Sequence, residues 1–175
     1  MPNIDLHNRA RNGWSEFQEY CFYEFIESSL PIYKTIAETC KENKITHVYD
    51  IGCCIAFQAK LFQMLGIKYT DIETSKWSIE ESPQEKNIQY IHKAYPFQIH
   101  IEDPEHTAAI SNLCIGYLID PAEKAYEQMA KNFRYFCGHP DPNGLQQFKK
   151  LYNITKTVQD KTDKYLTIIF AQTKN

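Results

Sequence analysis

Apolar residues recur along this chain first at helical spacing and then at strand spacing. Ser15 with Gln18 three residues on forms a capping-box pattern, in which the Ser oxygen accepts from first-turn amides. Phe17, Cys21, Phe25 and Ser28 follow at helical intervals, flanked by Phe22 and Ile26. Pro31 suits the first turn of a second helix, where its missing N–H costs nothing. Ile32, Ile36, Ala37 and Cys40 give that helix an apolar stripe, and residues 42–44 predict its end in solvent.

From Thr46 the texture changes. Residues 46–51 are short, β-branched and apolar, as in a buried strand. Residues 55–65 predict a helix with Ile55, Ala59, Phe62, Met64 and Leu65 as its apolar positions and Gly66 as its C-terminal cap. Residues 67–72, 87–93 and 107–111 read as further strands. Residues 121–136 carry Ala125, Met129, Phe133 and Phe136 at helical spacing. Residues 165–171 form a final strand, paired with 154–158 across a polar turn at 159–164. Residues 75–86 are linker-like in composition but too short to divide domains. Such alternation predicts an α/β sheet that closes on a hairpin. One structural unit is expected, with residues 1–44 as a helical cap on an α/β domain at 45–175.

Composition adjusts this picture. Only 6 of 175 residues are glycine, where average usage of about 7% would supply twice that number. Each glycine present therefore marks a place where the backbone has a special task. Aromatics at 14% argue against a disordered chain. With 19 basic against 22 acidic residues, the basic face of a nucleic-acid binder is not expected. The lysine-rich stretch at 149–164 is interrupted by Asp160 and Asp163 and reads as a solvated face. The start of the chain is polar, and nothing approaches the ~18 apolar residues of a membrane span. Cys21, Cys40, Cys53, Cys54, Cys114 and Cys137 form no CxxC pair. Free buried thiols in a reduced, cytoplasmic protein are the expectation, with no metal site.

The densest signal lies between Thr46 and Glu73. A strand ending in Asp50-Ile51-Gly52 leads into a helix, then into a strand ending near Asp71. In an open α/β sheet this arrangement builds a cofactor site at the carboxyl edge. The glycine lets backbone approach the ligand, and the acid accepts from ribose hydroxyls. Asp50-Ile51-Gly52-Cys53-Cys54-Ile55-Ala56 resembles the first motif of the class I S-adenosylmethionine-dependent methyltransferases, a strand followed by D/E-x-G-x-G-x-G. The flanking VYDIGC sits beside that family's usual VLDIGC. Asp71 in YTDIE falls on its second motif, and residues 109–112 are similar to the segment passing the methionine end of the cofactor.

The resemblance implies a Rossmann-like, mainly parallel seven-stranded sheet with a C-terminal antiparallel hairpin, under an N-terminal helical cap. It implies S-adenosylmethionine as cofactor, framed by Asp50, Gly52, Cys54 and Asp71, with Asn112 near the methyl donor. It also implies methyl transfer to an acceptor that the sequence does not name. The chain departs from the pattern in holding Gly52 alone of three glycines, with Cys54 and Ala56 at the other two. Lys93 stands near the third-motif acid, and His106 or Thr107 where an acid commonly opens the fourth strand. Ser111-Asn112-Leu113-Cys114 replaces an NPPY-type text, so adenine and glutamine lose support as acceptors. The alternative is the same fold without catalysis, an interaction module working through its aromatic N-terminal helices toward a protein partner or a second copy.

No catalytic residue is assigned. His92, His100 and His106 lie near Glu102, Asp103 and Glu105, but no two histidines sit a helical turn apart, and a solvated loop is the simpler reading. By position in the resembling fold, His92 or His106 would lie near the reacting edge as a general base. Residues 137–142 hold a glycine and two prolines and read first as a turn, from which His139 and Asp141 would reach an acceptor. Trp14 and Tyr20 fall partly outside the apolar stripe, suiting a lid or an interface.

Overall fold

Strand β1 (His47–Ile51) takes the middle of a sheet because it is apolar toward both faces, with Val48 and Ile51 buried on opposite sides. It pairs in parallel with β2 (Lys68–Glu73) on one side and β4 (Thr107–Asn112) on the other. Parallel neighbours β3 (Ile88–His92) and β5 (Tyr135–His139) extend the two wings. Beyond β5 the chain closes with an antiparallel pair, β7 (Thr167–Thr173) against β5 and β6 (Tyr152–Gln159) against β7. The order β3-β2-β1-β4-β5-β7-β6 gives a seven-stranded, mostly parallel sheet with a C-terminal antiparallel hairpin. The computed structural model describes residues 16–52, 55–74, 76–112, 115, 122–140, 144–159 and 167–174, and only the backbone of 16–28, 77 and 81. Cys53, Cys54, Cys114, Asp141, Trp14, Ser15 and the turn expected at 160–166 lie outside this description, as do the side chains of Phe17, Tyr20, Cys21 and Phe25.

Helices cover both faces. On one face α1 (Glu16–Glu42) and α2 (Ala59–Met64) bury Ile32, Ile36, Cys40 and Phe62 against Val48, Tyr69, Ile110 and Cys137. The stripe expected at 32–40 is the face that packs. On the other face α4 (Ala122–Asn132) and α5 (Leu145–Leu151) bury Tyr126, Met129 and Phe148 against Ile72, Ala109 and Phe136. Helix α3 (Lys76–Glu81) follows β2 and occupies the stretch whose composition suggested a linker. Gly66 caps α2 as expected, with φ +74° and its N–H donating to Gln63 O at 2.9 Å.

Three expectations are corrected. Pro31 lies inside α1 rather than at the head of a second helix. A proline inside a helix removes one backbone hydrogen bond at a cost of about 3 kcal/mol, and the burial of Ile32, Tyr33, Ile36, Ala37 and Cys40 outweighs it. The helical pattern at 121–136 stops at Asn132, whose amide donates to Phe97 O at 2.7 Å. Phe136 belongs to β5. Residues 137–139 are the end of that strand and not a turn; Gly138 is there because its backbone presses on β4. A Cβ at Gly138 would stand 2.2 Å from Ser111 O.

Helix α1 runs antiparallel to the parallel strands. Cys137 Sγ, midway along β5, contacts Ile36 O at 3.8 Å, and Ile45 leads into the start of β1. At 1.5 Å per residue, the five residues from Ile36 back to Pro31 bring Pro31 about level with the carboxyl ends of the strands.

Replacing Gly138 with alanine forces β4 and β5 apart. Overpacking of this kind costs about 1–3 kcal/mol, so Gly138→Ala is expected to lower the unfolding free energy by that amount and to shift the urea midpoint down, as measured by equilibrium denaturation. Gly66→Ala meets no neighbour within 4 Å and carries only the backbone strain of its positive φ, about 1–2 kcal/mol.

Candidate functional site

The strand order reverses between β1 and β4, and there the loops leave the sheet in opposite directions and open a crevice. Gly52 closes β1 at φ +74°, donating its N–H to Ile72 O at 2.9 Å. Further along the loop Ala56, fully buried, holds φ +45°. That conformation costs about 1–2 kcal/mol for a residue with a Cβ. The strain sits at the third glycine position of the resembling motif.

The loop is tied down from below. Gln58, at the head of α2, donates from Nε2 to Asp50 Oδ2 at 2.6 Å and to Tyr69 Oη at 2.8 Å. Tyr69 Oη donates to the same Oδ2 at 2.6 Å. All three residues are fully buried. The other oxygen, Asp50 Oδ1, has no hydrogen-bond partner among the described residues. Burial pushes the Asp50 carboxyl from 3.8 up to about 7; Tyr69 and Gln58 oppose the rise and Glu73 adds to it.

Alternation along the strands places further polar residues on this α1 face, since Val48, Tyr69, Ile110 and Cys137 all point there. Asp71 is the register partner of Asp50 and is fully buried, but it does not close its strand. Glu73 does, two residues on and on the same face, with Oε1 accepting from Thr74 N at 2.7 Å. Asn112 closes β4, its Oδ1 buried without a hydrogen-bond partner among the described residues. His139 pairs with Asn112 in register and closes β5, half-buried. Gly52 and Asn112 thus lie at one edge, and Asp50 and its register partner Asp71 share a level just inside it. The local sequence pattern does not single out Glu73, Gln58 or Tyr69 as part of this edge. The Thr74-Ser75 pair before α3 was the available signal that β2 runs on to Glu73.

The two histidines proposed as bases separate. His92 ends β3 at the carboxyl edge, with Nε2 against Thr74 O at 2.9 Å. His106 precedes β4 at the opposite, amino edge, where its carbonyl accepts from Thr46 N at 2.8 Å and its ring meets Asp103 at 2.9 Å. The connection at 93–106 carries the chain back across the sheet, so His106 is no base for this site. An open groove of about 690 Å³ lies at that amino edge, lined among others by His47, Lys68, Lys86 and Glu102. Among the described residues no group of His, Cys, Asp and Glu is placed to hold a metal, and no helix is long and apolar enough to cross a membrane.

The raised Asp50 carboxyl sets a pH dependence. The folded state binds this proton more tightly than the unfolded chain, so its contribution to stability is complete below about pH 4 and is lost as pH rises through about 7. Three pH units correspond to about 4 kcal/mol at most. The ligand-free protein is expected to melt at lower temperature at pH 8 than at pH 5, and Asp50→Asn to flatten that difference in thermal denaturation.

No protein-family model and no curated protein matches the sequence. Solved structures do match its shape. The N-methyltransferase NodS from Bradyrhizobium japonicum WM9, in complex with S-adenosyl-L-homocysteine, superposes with a TM-score of 0.63 at 10% identity, over 79% of this chain and 86% of NodS. Magnesium protoporphyrin IX methyltransferase (ChlM) from Synechocystis PCC 6803 with bound SAM gives 0.59 at 13% identity, over 93% of this chain and 86% of that one. The [4+2]-cyclase SpnF gives 0.60 at 9% identity, over 80% and 81%. Likeness at these identities establishes architecture, and the architecture is that of the class I S-adenosylmethionine-dependent methyltransferases.

Proposed function

We propose that this chain binds S-adenosylmethionine at the carboxyl edge of its sheet and transfers the methyl group to an acceptor. The observation that carries the reading is the set of groups at that edge: a positive-φ glycine, an acid closing β2, and a buried amide oxygen with no partner among the described residues. These suit the cofactor's three polar regions. Gly52, without a Cβ, admits the ligand close to the backbone. Glu73 offers a carboxylate to the ribose hydroxyls, which Asp71 would do only from deeper in the sheet. Asn112 Oδ1 accepts from the ammonium of the methionine moiety. Asp50 holds the loop from beneath, and Cys54 stands beside it in the sequence.

When bound, S-adenosylmethionine supplies an electrophilic methyl carbon on a sulfonium centre. The protein's task is then to hold an acceptor in line with that carbon and to exclude water, which positioning alone accomplishes. Residues 16–30, which precede Pro31 in α1, are the segment this reading assigns to the helical cap. Cys40 and Cys137, free and buried, suit a reduced cytoplasmic setting.

A second reading has one observation in its favour. The buried methyl of Ala56 fills the position where the motif's third glycine leaves space, as in a fold kept for protein interaction through α1. Titration with S-adenosylmethionine and S-adenosylhomocysteine by calorimetry separates the readings. Binding is expected, and Glu73→Ala is expected to weaken it roughly ten- to a hundredfold, the worth of hydrogen bonds to a charged group. Asp71→Asn is expected to weaken it less. Absence of binding at millimolar ligand overturns the enzyme reading. Binding without transfer of labelled methyl to any small molecule or protein of a cell extract favours the second.

A further inference from the structure

The crossover from β3 to β4 contains no helix. Residues 93–106 run as irregular chain over the face opposite α1, with Tyr95, Phe97, Ile99 and Ile101 packed onto the sheet. Asn132 pins this segment from α4, donating from Nδ2 to Phe97 O at 2.7 Å and accepting from Ile99 N at 3.2 Å. Parallel strands are usually joined through a helix, which would cover β1, β2 and β3 along their length. A single irregular strand of chain covers less. The amino ends of these three strands therefore lie under the open groove of about 690 Å³. By alternation, their residues on this face are His47 and Tyr49 from β1, Lys68 and Thr70 from β2, and Gln89 from β3.

These positions are polar where a covering helix would need apolar ones, and they are joined across the three strands. Thr70 Oγ1 donates to Gln89 Oε1 at 3.3 Å and accepts from His47 Nε2 at 2.8 Å. The His47 ring rests against Tyr49, with centroids 4.6 Å apart. Around this floor stand donors with nothing to hold. Lys68 is the register partner of His47 on the next strand, and Lys86 precedes β3. Among the described residues neither ammonium takes part in an ion pair or a side-chain hydrogen bond. Gln63, near the end of α2, lines the same groove, with Nε2 buried and without an acceptor among the described residues. A buried donor left unpaired costs about 1–3 kcal/mol, so an acceptor arriving here is favoured. Of the two acids that line the groove, Asp103 is engaged by His106 at 2.9 Å, and Glu102 alone opposes an anion.

We propose that this groove binds a small molecule through its phosphate group, at the edge of the sheet opposite the proposed cofactor. Lys68 and Lys86 bring two positive charges to the anion, and the Gln63 amide adds a third donor. These groups come from β2, from the approach to β3 and from α2, so they meet an acceptor from several sides. Such an arrangement suits a tetrahedral oxyanion better than a planar carboxylate. Lysine meets phosphate as a point charge and needs no fixed fork. The groove is larger than a phosphate group and of the size usual for small-molecule sites, which leaves room for an organic body beside the His47–Tyr49 pair. The site stands apart from the carboxyl edge and holds whether or not S-adenosylmethionine binds there.

The test is NMR titration of the full chain with inorganic phosphate and with glycerol 3-phosphate, against acetate at matched ionic strength, following the His47 ring signals. Saturable shifts are expected with both phosphates and not with acetate, glycerol 3-phosphate binding at least as tightly as the bare ion. Burial, and then Lys68, hold the His47 imidazole below its ordinary range, while Glu102 opposes them. Its titration is expected to move up when phosphate is bound, because the anion offsets Lys68. Lys68→Ala and Lys86→Ala are each expected to weaken binding roughly tenfold, the worth of a hydrogen bond to a charged group. Glu102→Gln is expected to strengthen it severalfold. Lys60→Ala, whose ammonium pairs with Glu85 outside the groove, is expected to leave it unchanged. All four positions are exposed, so the variants are expected to fold. No saturable shift at tens of millimolar phosphate overturns the proposal, as does an equal response to acetate. Binding unchanged in both lysine variants, or binding of inorganic phosphate without the ester, marks an adventitious ion only and overturns it as well.

Discussion

The triangle of Asp50, Gln58 and Tyr69 is the contact on which the carboxyl edge depends. A carboxyl removed from water is costly unless hydrogen bonds replace its hydration, and here two donors at 2.6 Å do so on one oxygen. The three residues come from β1, the head of α2 and β2. Their mutual satisfaction therefore fixes the two strands and the loop between them together. The loop tolerates Gly52 and Ala56 at positive φ because its far end is anchored at Gln58. Local strain of this size persists where the surroundings over-determine the backbone.

Around that clamp the apolar packing is conventional and supplies the bulk of the stability. The α1 face gathers aliphatic side chains, Cys40, Cys137 and the Tyr69 and Phe62 rings. The opposite face stacks Phe148 on Tyr152 at 4.7 Å and sets Phe136 edge-on to Phe148 at 5.1 Å. The polar residues of the site all fall on the α1 face near the strand ends. They collect there because alternation along parallel strands carries positions 50, 71, 73, 112 and 139 to the same side. Burial, with a smaller contribution from Glu73, pushes the Asp50 carboxyl above the ordinary range.

The fold does not choose the reaction by itself. NodS and ChlM are methyltransferases and SpnF is a [4+2]-cyclase, and this chain is about equally like all three. What separates such proteins is the set of side chains at the carboxyl edge. In this chain the set keeps an acid on β2 and an amide on β4, and spends one glycine where the resembling motif spends three.

The sequence by itself determined the alternation of strands and helices, the central strand at 46–51, the closing hairpin, the packed stripe of α1 and the Gly66 cap. Each is a local matter of apolar period or of a single backbone conformation. It also marked Asp50 and Gly52, because a strand–turn–helix text carries its own geometry, while Asn112 followed only from the resemblance to the methyltransferase family. Only the tertiary structure decided that Pro31 continues a helix, since the burial that offsets its lost hydrogen bond comes from the sheet. It decided that residues 135–139 form a strand, since the need for glycine at position 138 arises from Ser111 on another strand. It decided that Glu73, and not Asp71, closes β2, and that His106 faces the wrong edge. Strand register and the path of a connection are set by partners distant in sequence, and no local pattern carries them.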